Sequence, residues 1–266
     1  MAALMGQKTD TQETGTHKMG THDANGARAD KIRVNVVRKI FPALAGHDAQ
    51  LVLSNVSFEV APREFLVLTG PSGCGKSTLL NIIAGLDPDF EGFIDLGSGR
   101  DRMTFVFQAP RLLPWRTVYE NIALALPDGD PRLERIPEML ARVGLTEAAN
   151  AYPERISLGM QRRASLARGF IVEPQILLMD EPFVSLDDPT AQSLRQLLLE
   201  LISRQPTTVI FVTHDRAEAV QLGTRILRLS PGKASVVDDV PVRLTPEQRR
   251  DRTAILAEQT RVFGTG

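Results

Sequence analysis

Hydrophobic and polar positions change rhythm along this chain. In "KIRVNVVRKIF", Ile32, Val34 and Val36 alternate with polar residues, the period-2 pattern of a strand buried on one face. "LVLSNVSFEV" and "EFLVLTG" predict two further strands, and "FIDL" and "MTFVFQ" two more after a first helix. "QILLMD" (175–180) and "TTVIFVTHD" (207–215) differ in kind, being continuous apolar runs that end in polar residues. Such runs read as central parallel strands covered by helices on both faces. Helical spacing marks "KSTLLNIIAGL", "RLERIPEMLARVGL", "LGMQRRASLARGFIV" and "AQSLRQLLLELISRQ". Strands that alternate with helices predict an α/β domain with ligand chemistry at the strands' C-terminal ends.

The pattern also predicts the boundaries. Residues 1–30 are polar, with almost no large apolar side chains, and are expected to be a disordered tail. An ordered domain is expected over 31–240. Residues 241–266 carry charges and a short helical pattern and form a C-terminal extension without an assigned role.

Composition adds exclusions. Hydrophobic residues make up 42% of the chain, enough for a sizeable core. Basic and acidic side chains number 31 and 32, so there is no general pull toward nucleic acid or anionic lipid. The one cysteine, Cys74, can form no intrachain disulfide and fits a reducing compartment. No apolar run approaches the roughly 18 residues that span a bilayer, and the first residues lack the apolar stretch of a signal peptide. A cytoplasmic location is expected, with docking on a membrane protein left open.

"GPSGCGKST" (Gly70, Pro71, Ser72, Gly73, Cys74, Gly75, Lys76, Ser77, Thr78) matches the phosphate-loop pattern G-x-x-x-x-G-K-[ST]. It lies between a predicted strand and a predicted helix, as the chemistry requires. The glycines let backbone N–H groups turn toward phosphate oxygens, and the helix N-terminus adds partial positive charge. Lys76 is then expected at the β- and γ-phosphates of ATP, and Ser77 on Mg²⁺. Asp180 ends a buried strand, where a carboxylate holds Mg²⁺ through water. Glu181 follows it, placed to polarise an attacking water. His214 ends the other buried strand and reads as a γ-phosphate contact. The amide of Gln108 can ligate Mg²⁺ and hold a water. Cys74, near a helix N-terminus and Lys76, is expected to be a reactive thiolate.

With these parts in order, the chain resembles the ATP-binding subunit of ABC transporters over about residues 31–235. "GPSGCGKST" resembles Walker A, Gln108 the Q-loop, "ISLGMQRRASLARG" the signature, "ILLMDEP" Walker B, "SLD" (185–187) the D-loop and "THD" the H-loop. The resemblance implies a P-loop NTPase core of mainly parallel strands, with an antiparallel β subdomain and a helical subdomain inserted at about 109–165. It implies a head-to-tail pair of ATP-binding subunits, here a homodimer, with each ATP between one subunit's Walker A and the other's signature. Ser157, Leu158 and Gly159 would then meet the partner's γ-phosphate, and Asp187 would reach across the interface. Phe41 would stack on adenine, the alternative being a core Phe. "LLPWRTVYEN" after the Q-loop is similar to importers of nitrate, sulfonates, taurine and related small solutes. It places Trp115 at the groove for a transmembrane permease subunit, or else in the core. A solute-binding protein is implied indirectly, and the location becomes the cytoplasmic face of the membrane.

The signature carries a departure. The family's usual L-S-G-G is Ile156-Ser157-Leu158-Gly159 here, with Leu158 keeping its backbone N–H and Gly159 its flexibility. Leu158 is expected to turn its side chain away from nucleotide in a backbone that a non-glycine residue tolerates. Two other readings remain: a hydrolysis-poor regulatory subunit, suggested by Leu158, and a soluble ABC ATPase acting on nucleic acid or ribosomes, which the charge balance disfavours.

Overall fold

The computed structural model describes residues 31–43, 48–232 and 234–264; the tail expected over 1–30 lies outside them. A three-stranded antiparallel sheet has β1 (Ile32–Phe41) at its centre, flanked by β2 (Gln50–Val60) and β4 (Glu91–Asp95). The alternation read from the sequence is what buries it: Ile32, Val34 and Val36 point into the core.

A second sheet has six strands. In spatial order they are β5 (Met103–Val106), β6 (Ile176–Asp180), β7 (Thr208–Val212), β3 (Phe65–Thr69), β8 (Arg225–Leu229) and β9 (Val236–Pro241). The first five run parallel, and β9 closes the edge antiparallel to β8. The three central strands separate two cores. Phe65, Val67, Leu177, Met179, Val209 and Phe211 face the helices α4 (Leu158–Phe170), α5 (Asp188–Arg204) and α6 (Arg216–Leu222). Leu66, Leu68, Leu178, Ile210 and Val212 face α1 (Lys76–Ile83) and the antiparallel sheet. A continuous apolar run therefore supplies both layers, as period-2 geometry dictates.

Two expectations need correction. The strand expected to run to Gln108 stops at Val106. Phe107 leaves the sheet, stacks on Phe105 with centroids 4.2 Å apart, and carries the Arg111 guanidinium 3.8 Å above its ring. The single helix expected over 132–145 is a 3-10 turn, Pro131–Arg135, followed by α3 (Ile136–Arg142). Pro137 has no N–H to donate backward, so the α-helix restarts at Ile136. The pattern also left α6, β8, β9 and the short α2 (Val118–Ala123) unread.

The C-terminal extension is folded. Its α7 (Arg252–Phe263) packs against α6, with Val262 in the core. Arg249, just before it, donates to the carbonyls of Gln221 at 2.7 Å and Gly223 at 2.8 Å, satisfying the open C-terminal end of α6.

Candidate functional site

Register brings three strand ends level. Val212 of β7 pairs with Asp180 of β6 on one side and with Leu68 of β3 on the other. The Gly70–Thr78 loop, Glu181 and His214 therefore leave the sheet along one edge, the C-terminal edge of parallel strands where such folds place ligands.

The phosphate loop is shaped by steric exclusion. Gly75 caps α1 at φ 106°, and a Cβ there would lie 2.9 Å from both Leu53 and Val52 side chains. Only glycine meets both demands. Lys76 is buried, and its Nζ donates to the carbonyls of Gly70 and Pro71, each at 2.9 Å. Its charge thus faces the loop interior with no carboxylate bonded to it. Ser77 Oγ donates to Asp180 Oδ1 at 3.0 Å, tying α1 to the end of β6. Burial pushes the Asp180 carboxyl above the usual carboxylate range, the Ser77 bond opposes this, and the neighbouring Glu181 charge adds to it.

Glu181 sits at φ 41°, a left-handed conformation that costs a β-carbon residue about 1–2 kcal/mol. Its N–H donates to Val212 O at 3.0 Å, which holds that turn. Its Oε2 lies 3.0 Å from His214 Nδ1. Asp215 accepts from the N–H groups of Ala217 and Glu218, capping α6 and fixing the residue next to His214. Gln108 is exposed at the start of the loop after β5, beside β6.

Phe41 ends β1 at 42% exposure, so the core alternative is excluded. Beneath it Lys39 is 2% exposed and donates to Asp87 Oδ1 at 2.7 Å and Asp89 O at 2.6 Å, with its Nζ 5.0 Å from the Phe41 ring centre. The sequence pattern missed Lys39 because an irregularity between Val36 and Arg38 in the pairing with β4 shifts the alternation and puts a cation on the buried face.

Ser157 caps α4 by accepting from Met160 N at 3.3 Å. Leu158 opens that helix without a positive φ and is 40% exposed, so its side chain has turned outward. Gly159 is also inside the helix at ordinary φ, which corrects the expectation that it supplies flexibility. A Cβ on it would lie 2.8 Å from Thr190 Cγ2. Asp187 caps α5, accepting from Thr190 N at 3.0 Å and Thr190 Oγ1 at 2.8 Å. Those bonds hold its carboxyl below the usual range. Neither Thr190 nor the clamp of Arg168, which donates to Pro110 O and Arg111 O at 2.8 Å each, was read from the sequence.

Two further expectations resolve differently. Cys74 is 1% exposed and packs with Leu53, Leu68 and Leu79, so it is a buried side chain rather than one open to reagents. The apolar neighbours that bury the loop's base take it out of solvent. Trp115 is 68% exposed, and Tyr119, Leu124 and Tyr152 are exposed too, so Trp115 is a surface residue rather than a core one.

Comparison with known proteins follows this geometry. A family model described as "ABC transporter" matches residues 53–184. An aliphatic sulfonates import ATP-binding protein of Bacillus subtilis (strain 168) is 42% identical over 221 residues, covering 78% of this chain and 86% of that protein. A protein of the same description from Pseudomonas syringae pv. tomato is 42% identical over 219 residues, covering 82% and 90%. A dimeric structure of a bacterial ABC transporter cassette superposes with TM-score 0.68 at 32% identity, covering 80% of this chain and 100% of that one. A dimeric post-hydrolysis state of an ATP-binding cassette bound to ADP and Pi superposes with TM-score 0.67 at 31% identity, with the same coverage.

Proposed function

Because the chain belongs to the ABC transporter family of ATP-binding subunits, we propose that its ATP hydrolysis drives uptake of aliphatic sulfonates. The observation that carries the catalytic part is the convergence of Lys76, Ser77, Asp180, Glu181 and His214 on one sheet edge. The choice of solute rests on the relatives, which are aliphatic sulfonates import ATP-binding proteins. That likeness favours a transporter over a soluble ATPase acting on nucleic acid or ribosomes.

In this reading residues 31–240 are the ATP-binding domain and about 109–165 its helical subdomain. The loop Gly70, Pro71, Ser72, Gly73, Cys74, Gly75 presents backbone N–H groups to the triphosphate, with Thr78 in the first turn of α1. Lys76 gives its charge to the β- and γ-phosphates in place of the two carbonyls it now holds. Phe41 offers its exposed ring to adenine. Ser77 Oγ and Asp180 Oδ1, 3.0 Å apart, are hard oxygen donors suited to Mg²⁺. The described residues hold no cluster of three or more His, Cys, Asp or Glu that could bind a metal unaided, which fits a site shared with substrate oxygens and water. When bound, Mg²⁺ would supply charge neutralisation on the transferred phosphoryl group, and Gln108 would offer its amide oxygen as a further ligand. Glu181 orients water and takes its proton as the water oxygen bonds to γ-phosphorus and the bond to the bridging oxygen breaks. His214 holds the Glu181 carboxylate and meets the γ-phosphate. Ser157, the N–H groups of Leu158 and Gly159, and Asp187 face the nucleotide of a second subunit.

The exposed Trp115, Tyr119, Leu124 and Tyr152 form the face offered to the permease. No helix of the described residues is long and apolar enough to cross a membrane. In this reading the chain sits at the cytoplasmic face through its contact with the permease. The solute-binding protein acts from the other side. Deleting the gene should abolish growth on an alkanesulfonate as sole sulfur source while sparing growth on sulfate. Wild-type protein should restore it, and Glu181→Gln should not. Full growth of the deletion strain on alkanesulfonates would overturn the solute.

A further inference from the structure

The signature turn and the D-loop meet inside one subunit at a single side chain. Thr190 lies in the first turn of α5, and its two branches do different things. Its hydroxyl donates to Asp187 Oδ2 at 2.8 Å, while its N–H donates to Asp187 Oδ1 at 3.0 Å. Its methyl fills the space a Cβ on Gly159 would take, 2.8 Å from that position.

A threonine methyl usually gives way by rotation about χ1, but here rotation would break the hydroxyl's bond to Asp187. The methyl is therefore a fixed stop. The approach of α4 to α5 is set by contact between a glycine and a β-branched residue whose rotamer is locked. One turn further along α4, Arg163 Nη2 donates to Ser193 Oγ at 2.8 Å, which holds the two helices at that separation. Gly159 has ordinary helical backbone, so left-handed geometry does not require a glycine there. Close approach does.

We propose that Thr190 is a positioning residue for the shared ATP site: it locks the Ser157–Met160 turn and the Asp187 carboxylate into one rigid piece. The inference rests on the reading that this turn and Asp187 face a partner's nucleotide. Under it, Gly159 is a glycine because of Thr190, and the two segments approach the neighbouring subunit with a spacing fixed before the sandwich closes. Thr190 acts through Asp187 and Gly159.

The test is a reciprocal cycle in the full chain assembled with its permease, reading ATP turnover, together with ATP affinity and melting temperature of the purified chain. Gly159→Ala should lower kcat at least 10-fold through the clash with the methyl, leaving ATP affinity within about 2-fold because the phosphate loop is untouched. Thr190→Ser removes the methyl, keeps the hydroxyl, and should lower kcat about 2- to 3-fold. The pair G159A/T190S should recover at least 5-fold over Gly159→Ala alone. Thr190→Val keeps a methyl and the backbone bond to Asp187 Oδ1 but removes the hydroxyl's bond to Oδ2, and should lower kcat without rescuing Gly159→Ala. A double variant no more active than Gly159→Ala would overturn the proposal, since glycine would then be needed for the nucleotide itself. So would a Gly159→Ala protein with wild-type turnover. Changes in melting temperature that track kcat across all four variants would reduce Thr190 to packing alone and overturn it as well. Ser157→Ala serves as the control on the underlying reading: unchanged turnover there would reject the shared site, an outcome separate from failed rescue.

Discussion

Leu158 shows what one residue contributes when its side chain is exposed. It starts α4 at ordinary backbone angles with its side chain toward solvent, so it can offer its N–H as glycine would. Leu158→Gly should therefore change ATP turnover with the permease by less than about 3-fold, worth about 0.7 kcal/mol of barrier. A rise of 10-fold or more would mean the side chain holds the sandwich open, as in a regulatory subunit. Asp180 is the opposite case, a residue whose chemistry opposes the fold. Burial raises its folded pKa above the unfolded 3.8, so between those values the folded state binds more protons and stability falls as pH rises. The penalty is complete above the folded pKa and absent below 3.8. Asp180→Asn should thus melt higher than wild type at pH 7 without nucleotide, with the gap closing as pH falls through the raised folded pKa and gone below 3.8. Calorimetry across pH checks this. Equal melting temperatures at pH 7 would remove the burial penalty from the account.

At the scale of elements, α2 is a six-residue helix that local chemistry builds almost alone. Thr117 and Glu120 form a reciprocal capping box at its N-terminus. Asn121 is completely buried within it and serves the preceding loop. Its Nδ2 donates to the carbonyls of Leu113, Arg116 and Thr117, and its Oδ1 accepts from Leu113 N at 2.7 Å. This is the physical content of the final Asn in "LLPWRTVYEN": it fixes the loop that displays Trp115. Asn121→Ala strands those buried partners and should cost about 2 kcal/mol in denaturant unfolding. Because Trp115 is the sole tryptophan, its fluorescence anisotropy reports the loop directly and should fall. Unchanged anisotropy and stability would show that the loop holds itself.

For the molecule as a whole, the central prediction is assembly. Glu181 is held in a left-handed turn beside His214, with its carboxylate at the common strand edge. Glu181→Gln keeps the shape and removes the base, so ATP binding should persist while turnover falls by roughly 10²–10⁴. ATP that is bound but not hydrolysed should then hold two chains together, visible as a doubled mass by light scattering that reverts on nucleotide removal. Near-normal turnover, or a monomer at saturating ATP, would remove either Glu181 or the shared site from the mechanism.

Short-range order was legible from sequence because it is written in spacing. Alternation marked β1, and apolar runs marked β3, β6 and β7, because a strand's two faces are set by period 2. The spacing of "GPSGCGKST", "ILLMDEP" and "ISLGMQRRASLARG" was enough for the family, since a phosphate loop needs its glycines and lysine at fixed intervals. What the sequence could not fix was anything decided by neighbours distant in the chain. Lys39 lands on the buried face because of an irregularity after Val36, Cys74 is buried because apolar side chains from β2 and β3 pack around it, and Trp115 is exposed on a loop whose backbone Asn121 ties down. Gly159 is the sharpest instance. Its letter suggested freedom, yet the backbone is ordinary helix, and the glycine is required by a methyl 31 residues away, at Thr190, whose own rotamer is set by Asp187. Spacing determines which residues form an element, but only packing decides which atoms meet.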